Sequence, residues 1–140
     1  IGDGAGNVGW GDVATVGLKS RKTAQVTQSI ANNAAANVSL STAKGFALYS
    51  IETSHAAWVT LSTSTTARSA DAGRLETTDP TPGSGVLSEV ITTGAVTQLI
   101  TPGTVCFNSS PTATTYAKVV NKGGSTVNIT VTLTYVQIEN

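Results

Sequence analysis

The residues best suited to catalysis are few, and His55 is the first to consider. It is the only histidine in the chain, so a Ser-His-Asp arrangement must use it, with Ser69 and Asp71 as candidate partners. Serines occur throughout the sequence, and none has the spacing of a nucleophile elbow. We therefore expect His55 to be a turn residue beside a strand and not a catalytic base.

The other candidates for chemistry are Cys106 and the carboxylates. Cys106, the only cysteine, lies between Val105 and Phe107 in an apolar run, which predicts a buried small side chain and not a reactive thiol. The eight Asp and Glu residues are scattered singly, without the spacing of a calcium loop. A glycosidase pair such as Glu76 and Glu89 stays open, although nothing selects it. The sequence predicts no enzyme, no metal and no cofactor.

A Gly-x-Gly-x-x-Gly pattern runs from Gly4 to Gly9. This pattern binds a dinucleotide when a strand precedes it and a helix follows it. The first seventeen residues contain six glycines and show no sustained periodicity, so neither element is expected there. We read the pattern as part of a Gly-rich segment and not as a nucleotide site.

Residues 1–24 are predicted to form a Gly-rich extended N-terminal arm or linker. Within it, Trp10 either anchors in a partner's pocket or folds back onto its own domain. A small basic cluster, Lys19, Arg21 and Lys22, precedes the expected first strand. The cluster either contacts an acidic partner surface or is a solvated entry to the strand. These four residues are the candidates for binding a partner.

The composition favours a structural or binding protein. Charged residues make up only 11% of the chain and the formal net charge is zero, so no overall field attracts nucleic acid or an anionic membrane. About a quarter of the residues are Thr or Ser, which favour strands and turns. A surface with few charges and many hydroxyls suits a protein that packs among copies of itself.

Residues 25–140 are predicted to form one all-β domain, because apolar and polar residues alternate along many short segments separated by turn residues. The clearest alternation runs from Val127 to Tyr135. We expect an antiparallel β-sandwich, jelly-roll-like in its connections. The strands are expected at 25–30, 38–40, 45–53, 57–63, 86–92, 95–101, 104–107, 114–121 and 125–138.

Several connections between these strands are also predicted. Strands 45–53 and 57–63 should pair around Ser54 and His55, and tight turns should follow residues 92 and 101. Segment 31–37 is expected to be a loop or bulge, and segment 114–138 a terminal hairpin. Residues 64–74 are expected to hold a short helical turn, in which Asp71 pairs with Arg68 and Arg74 adds a second donor.

Several gapped segments of the chain resemble a β-sandwich domain that recurs in virion structural proteins of marine and cyanobacterial tailed phages. The resemblance covers roughly residues 45–140 and omits the Gly-rich segment. The segments that carry it, in chain order, are 56–61 (AAWVTL), 67–74 (ARSADAGR), 78–86 (TDPTPGSGV), 89–94 (EVITTG), 99–103 (LITPG), 107–108 (FN) and 120–133 (VNKGGSTVNITVTL).

The resemblance implies a non-enzymatic component of a virus particle. The leading expectation is a capsid decoration or cement protein, located in the virion on the capsid surface or in a tail appendage. Its partners would be the major capsid protein or other virion proteins, and further copies of itself in a homo-oligomer, possibly a trimer. One alternative is a tail-fibre or receptor-binding module, in which Tyr49, Trp58 or Tyr116 stacks on a host glycan. A second alternative is an extracellular filament subunit.

Overall fold

A computed structural model describes residues 19–140. They form eight strands and one short helix. The strands are β1 (Arg21–Ile30), β2 (Ala35–Ser41), β3 (Gly45–Thr53), β4 (Ala57–Ser62), β5 (Val86–Ile91), β6 (Val96–Phe107), β7 (Thr114–Asn121) and β8 (Val127–Glu139), and the helix is α1 (Thr65–Ala70).

The strands form two four-stranded antiparallel sheets. One sheet has the order β1-β8-β3-β6 and the other β2-β7-β4-β5. The connection from β4 to β5 stays within one sheet. Every other connection leads to a strand of the opposite sheet. This is the topology of an eight-stranded jelly roll. The prediction of an all-β sandwich is confirmed.

Alternating side chains of both sheets build the core. On β8, Ile129, Val131, Leu133 and Tyr135 point inward and are buried, while the intervening threonines face outward. The ring of Tyr135 packs at a tilt against Phe46 of β3, with ring centroids 5.0 Å apart. The strong alternation seen in the sequence therefore belongs to a strand that lies in the middle of its sheet.

The first strand begins at Arg21 and not at Gln25. Arg21 pairs with Val136 and Ala24 with Leu133 of β8. Residues 21–24, assigned to the arm from the sequence, are thus part of the sandwich. The second strand also begins earlier than expected, at Ala35, after a turn in which Asn33 has a positive φ of 61°.

Two pairings expected from the sequence are wrong, because the connections cross between the sheets. β3 and β4 lie in opposite sheets, and so do β7 and β8, which were expected to form a hairpin. The buried Asn121 fixes the second crossing: its Nδ2 donates to the carbonyls of Ile30 (2.8 Å) and Ser125 (2.7 Å), and its Oδ1 accepts from the Gly123 amide (2.8 Å). A side chain thus replaces the backbone ladder of a hairpin turn.

The expected tight turn at Pro102-Gly103 is also absent from this part of the fold. β6 continues through these residues as one strand along β3. Its register shifts between the pairs Leu48–Thr104 and Ser50–Leu99, so residues 100–103 bulge out opposite Tyr49.

The segment 63–85 connects β4 to β5 and contains α1. Ser64 caps the helix by accepting a hydrogen bond from the Ala67 amide at 3.0 Å. Gly85, with φ of 89°, brings the end of the segment so close to the helix that a Cβ there would lie 2.6 Å from the Ala67 Cβ. This confirms the short helical turn expected within 64–74.

Candidate functional site

The three described members of the predicted partner-binding set, Lys19, Arg21 and Lys22, do not form one patch. Trp10 lies outside the described residues. Lys19 is exposed just before β1, and Arg21 and Lys22 are consecutive residues of that strand. Neighbouring side chains of a strand point to opposite sides. The Arg21 guanidinium accordingly stacks on the Tyr49 ring, 4.8 Å from its centroid, whereas Lys22 Nζ donates to Gln137 Oε1 at 3.0 Å.

The Arg21–Tyr49 contact borders a small cavity on the outer face of the β1-β8-β3-β6 sheet. Its volume is about 380 Å³, and Leu99, Ile100 and Thr134 are among the residues that line it. The β6 bulge makes this cavity, because it moves residues 100–103 away from β3 beside Tyr49. The cavity offers an apolar floor, one aromatic ring and one cation.

Strand β6 carries the main apolar surface. Four of its side chains are large, hydrophobic and more than a third exposed; we call them the β6 band, and they are Val96, Leu99, Val105 and Phe107. Leu99 and Val105 are each 63% exposed. Val105 and Phe107 pair with Ala47 and Gly45 of β3, and neither a methyl group nor a glycine covers the larger side chain opposite it.

Sequence reasoning predicted two short strands here, 95–101 and 104–107, and missed both the single strand β6 and the band. The band was hidden because alternation alone does not tell an inner strand from an edge strand. The sequence nevertheless contains a signal. No Asp, Glu, Lys or Arg occurs between Glu89 and Lys118, so the chain that forms β6 has none of the charges that usually protect an edge.

A cluster of charged side chains lies under the 63–85 segment, on the outer face of the other sheet. Arg74 is its centre. Its guanidinium contacts both carboxylate oxygens of Asp71, at 2.6 and 3.0 Å, and Glu89 Oε2 at 2.7 Å. Glu89 also accepts from Trp58 Nε1 at 3.0 Å, and Lys118 Nζ donates to the Asp71 carbonyl at 3.1 Å.

The electrostatics of this cluster are compensated. The hydrogen bond to Asp71, reinforced by Glu89, raises the pKa of Arg74 above its ordinary value, and burial opposes the shift only in part. Lys118 Nζ and the Arg74 guanidinium also lie over the Trp58 ring, at 4.3 and 5.3 Å from its centroid. Because these groups are bound to one another, the cluster holds the segment onto the sheet.

The local pairing predicted for this segment needs a correction. Arg74, not Arg68, is the main partner of Asp71. Arg68 Nη1 reaches across the sheet instead and donates to the Val38 carbonyl at 2.9 Å, with its guanidinium 5.5 Å from the centroid of Tyr116. The helix places Arg68 over β2 and β7, so its guanidinium donates to a strand carbonyl and not to the Asp71 carboxylate.

The residues considered for catalysis have other partners. His55 is exposed in the turn after β3, and its Nδ1 lies 2.9 Å from Ser54 Oγ. Of the two candidate glycosidase carboxylates, Glu76 pairs with Lys122 at 3.1 Å and Glu89 with Arg74. Cys106 is fully buried, as predicted, and burial raises the pKa of its thiol to about 12.

Within residues 19–140, no three His, Cys, Asp or Glu side chains come together in a way that would hold a metal ion. The same part of the chain has no helix long and apolar enough to cross a membrane.

No protein-family model matches this chain, and no curated protein matches it either. A functional assignment therefore depends on the fold and on the surfaces described above.

Proposed function

We propose that this chain is a structural component of a virus particle and that it decorates or cements the capsid. Its partners are then the major capsid protein and further copies of itself. The observation that carries the proposal is the β6 band at the edge of its sheet, where Leu99, Val105 and Phe107 expose apolar surface on the outer side and Val96 does so on the inner side, without a charged residue in the strand. Such a surface fits contact with other proteins better than solvation or small-molecule chemistry.

The fold agrees with this proposal without deciding it. Eight-stranded jelly rolls are common in viral capsid proteins, but they also occur in lectins and in cupins. The sequence resemblance to phage virion domains covers the strands from β3 onward and favours the first of these settings. Repetition around a shell would multiply modest contacts, so a small interface per copy suffices.

The experiment is a co-sedimentation assay with purified capsids that lack the protein. The full chain is expected to bind them saturably. Deleting residues 1–17 is expected to abolish binding while circular dichroism still reports a folded β protein, because the described sandwich begins after this segment. Unchanged occupancy after the deletion would contradict a role for the arm, and failure of the full chain to bind would contradict the decoration function.

A receptor-binding module of a tail appendage is the second candidate, and Tyr49 is the observation in its favour. Of the three aromatics considered for glycan stacking, Trp58 is 6% exposed beneath the 63–85 segment and Tyr116 is covered in part by Arg68. Tyr49 is 39% exposed beside the Arg21 cavity. Glycan-array binding that Tyr49→Ala removes, in a folded protein, would favour this candidate over decoration.

A further inference from the structure

The four edge strands of the sandwich differ in how they are protected. Exposed edges normally carry charges, stay short or are covered, because an open edge invites pairing with other chains. β1 begins with Arg21 and Lys22, β5 is six residues long and contains Glu89, and β2 is seven residues long. β6 is twelve residues long, contains no charged residue and carries the whole β6 band.

Leu99 is the central residue of this edge. It lines the outer-face cavity beside Tyr49 and also a groove of about 390 Å³ between the edge strands β5 and β6. Ile91 of β5, 50% exposed, lines the same groove together with Pro102. Leu99 therefore joins the apolar cavity on the outer face to a groove in which Ile91 and Leu99 are the exposed apolar side chains, beside polar residues such as Glu89 and Gln98.

We propose that a second copy of this chain docks on the β6 edge, with Leu99 at the centre of the contact. The strip from Val96 to Phe107 offers no charge to an ionic partner such as a nucleic acid. A second copy presents the same uncharged apolar strip, so the surface is complementary to itself, as a two-fold interface requires. The zero formal net charge of the chain adds no overall repulsion between copies.

The β6 bulge determines the kind of contact. Residues 100–103 bulge out of the pairing between β6 and β3, and Pro102 has no amide hydrogen to donate. A continuous intermolecular ladder along β6 is therefore blocked, and the copies meet mainly through side chains. Such a contact closes on itself and does not extend a sheet without limit.

The test is sedimentation equilibrium of the full chain at micromolar concentrations. The unaltered protein is expected to self-associate, and Leu99→Lys is expected to weaken association roughly tenfold or more, because it places an unpaired charge at the centre of the contact. Leu75→Lys is the matched control. Leu75 is 67% exposed in the 63–85 segment and lines neither of the two hollows beside Leu99, so its substitution should leave association unchanged.

The proposal would be overturned by a monomeric full chain, by equal association of the Leu99→Lys variant and the unaltered protein, or by equal weakening from Leu75→Lys. A 1–17 deletion that abolishes association while Leu99→Lys leaves it intact would also overturn it, since the arm would then make the contact. The role of the contact on the particle rests on the proposed function. Self-association in solution without capsid binding would support the β6 interface and contradict the decoration function. Capsid binding without self-association would support decoration and contradict the β6 interface.

Discussion

At the scale of single residues, the sequence places its few charges in two different settings. Arg74 and Asp71 are paired with side chains only 9% and 8% exposed, whereas Lys122 and Glu76 pair with side chains 33% and 32% exposed. Removing one partner of a buried pair leaves a charge without compensation, while an exposed charge is simply hydrated. The two pairs should therefore differ strongly in their effect on stability.

Arg74→Ala is expected to lower the free energy of unfolding by about 3 kcal/mol, because Asp71 and Glu89 lose their shared partner. Lys118, 3.6 Å from Asp71, compensates in part. Lys122→Ala is the control and should cost less than about 1 kcal/mol. Urea denaturation of both variants checks this, and equal losses would show that the buried cluster does not hold the 63–85 segment.

Because Cys106 is buried, we expect the free energy of unfolding to fall at alkaline pH. Burial raises the pKa of its thiol from 9.0 to about 12 and also raises the pKa of Tyr135. As the pH rises above about 9, the unfolded chain loses the thiol proton while the folded chain keeps it. The stability associated with the protonated thiol is therefore lost as the pH rises towards 12, at up to about 1.4 kcal/mol per pH unit.

The measurement is the free energy of unfolding as a function of pH, for the unaltered protein and for Cys106→Ala. The variant should show a shallower decline above pH 9, although Tyr135 keeps some of it. Its absolute stability will also change because a buried side chain is shortened, so the slopes and not the levels are compared. Identical slopes would contradict the burial of the thiol.

At the scale of elements, the position of the 63–85 segment depends on two glycines with nearly equal φ. Gly83 and Gly85 have φ of 83° and 89°, a region that L side chains rarely adopt. They differ in their surroundings. A Cβ at Gly83 meets nothing within 4 Å, whereas one at Gly85 would lie 2.6 Å from Ala67 Cβ and 2.9 Å from Thr63 Oγ1.

Gly83→Ala should therefore cost about 1–2 kcal/mol through backbone strain alone. Gly85→Ala should cost about 1–3 kcal/mol more, because the added methyl also pushes α1 away from the segment end. Thermal and urea unfolding of the two variants provide the comparison. A smaller loss at Gly85 than at Gly83 would mean that the helix does not pack against this residue.

The existence of most strands could be predicted from the sequence, but their partners could not. Alternation in β8 and turn residues around 78–85 identify the elements, because both are local signals. Which sheet a strand joins depends on contacts distant in sequence. The crossing after β7 requires Asn121 to reach the Ile30 carbonyl, and no pattern between residues 114 and 138 reveals that bond.

The candidate surfaces, like the strand pairings, could be predicted from the sequence only where local signals determine them. The burial of Cys106 was predicted correctly from its apolar neighbours, but Val105 and Phe107 are themselves exposed, and Cys106 is buried because it alone of the three points to the inner face of β6. To predict that Arg21 and Lys22 point to opposite sides of β1, one must know that the strand begins at Arg21. To predict that Leu99 is exposed, one must know that β6 is an edge strand. Edge position is a property of the assembled sheet and leaves only an indirect trace in the sequence, the absence of charge.

At the scale of the whole molecule, the two edge strands of the β1-β8-β3-β6 sheet are expected to face different partners. β1 follows the Gly-rich N-terminal segment in the chain, and β6 forms the opposite edge with its apolar band. In the proposed arrangement the arm contacts the capsid and the β6 edge contacts a second copy.

Co-sedimentation of the 1–17 deletion, of Leu99→Lys and of the combined variant with capsids measures this division. The deletion should remove binding by itself. Leu99→Lys should retain binding but lower its apparent affinity, because copies no longer reinforce one another on the shell. An affinity unaffected by Leu99→Lys would mean that contacts between copies do not contribute on the particle.

The number of copies per purified virion tests the central claim most directly. Quantitative mass spectrometry against the major capsid protein measures it without altering either protein. Decoration of the shell predicts hundreds of copies per particle, because the contact repeats over the capsid lattice. A few dozen copies or fewer would assign the chain to a tail appendage, and absence from the particle would contradict the account.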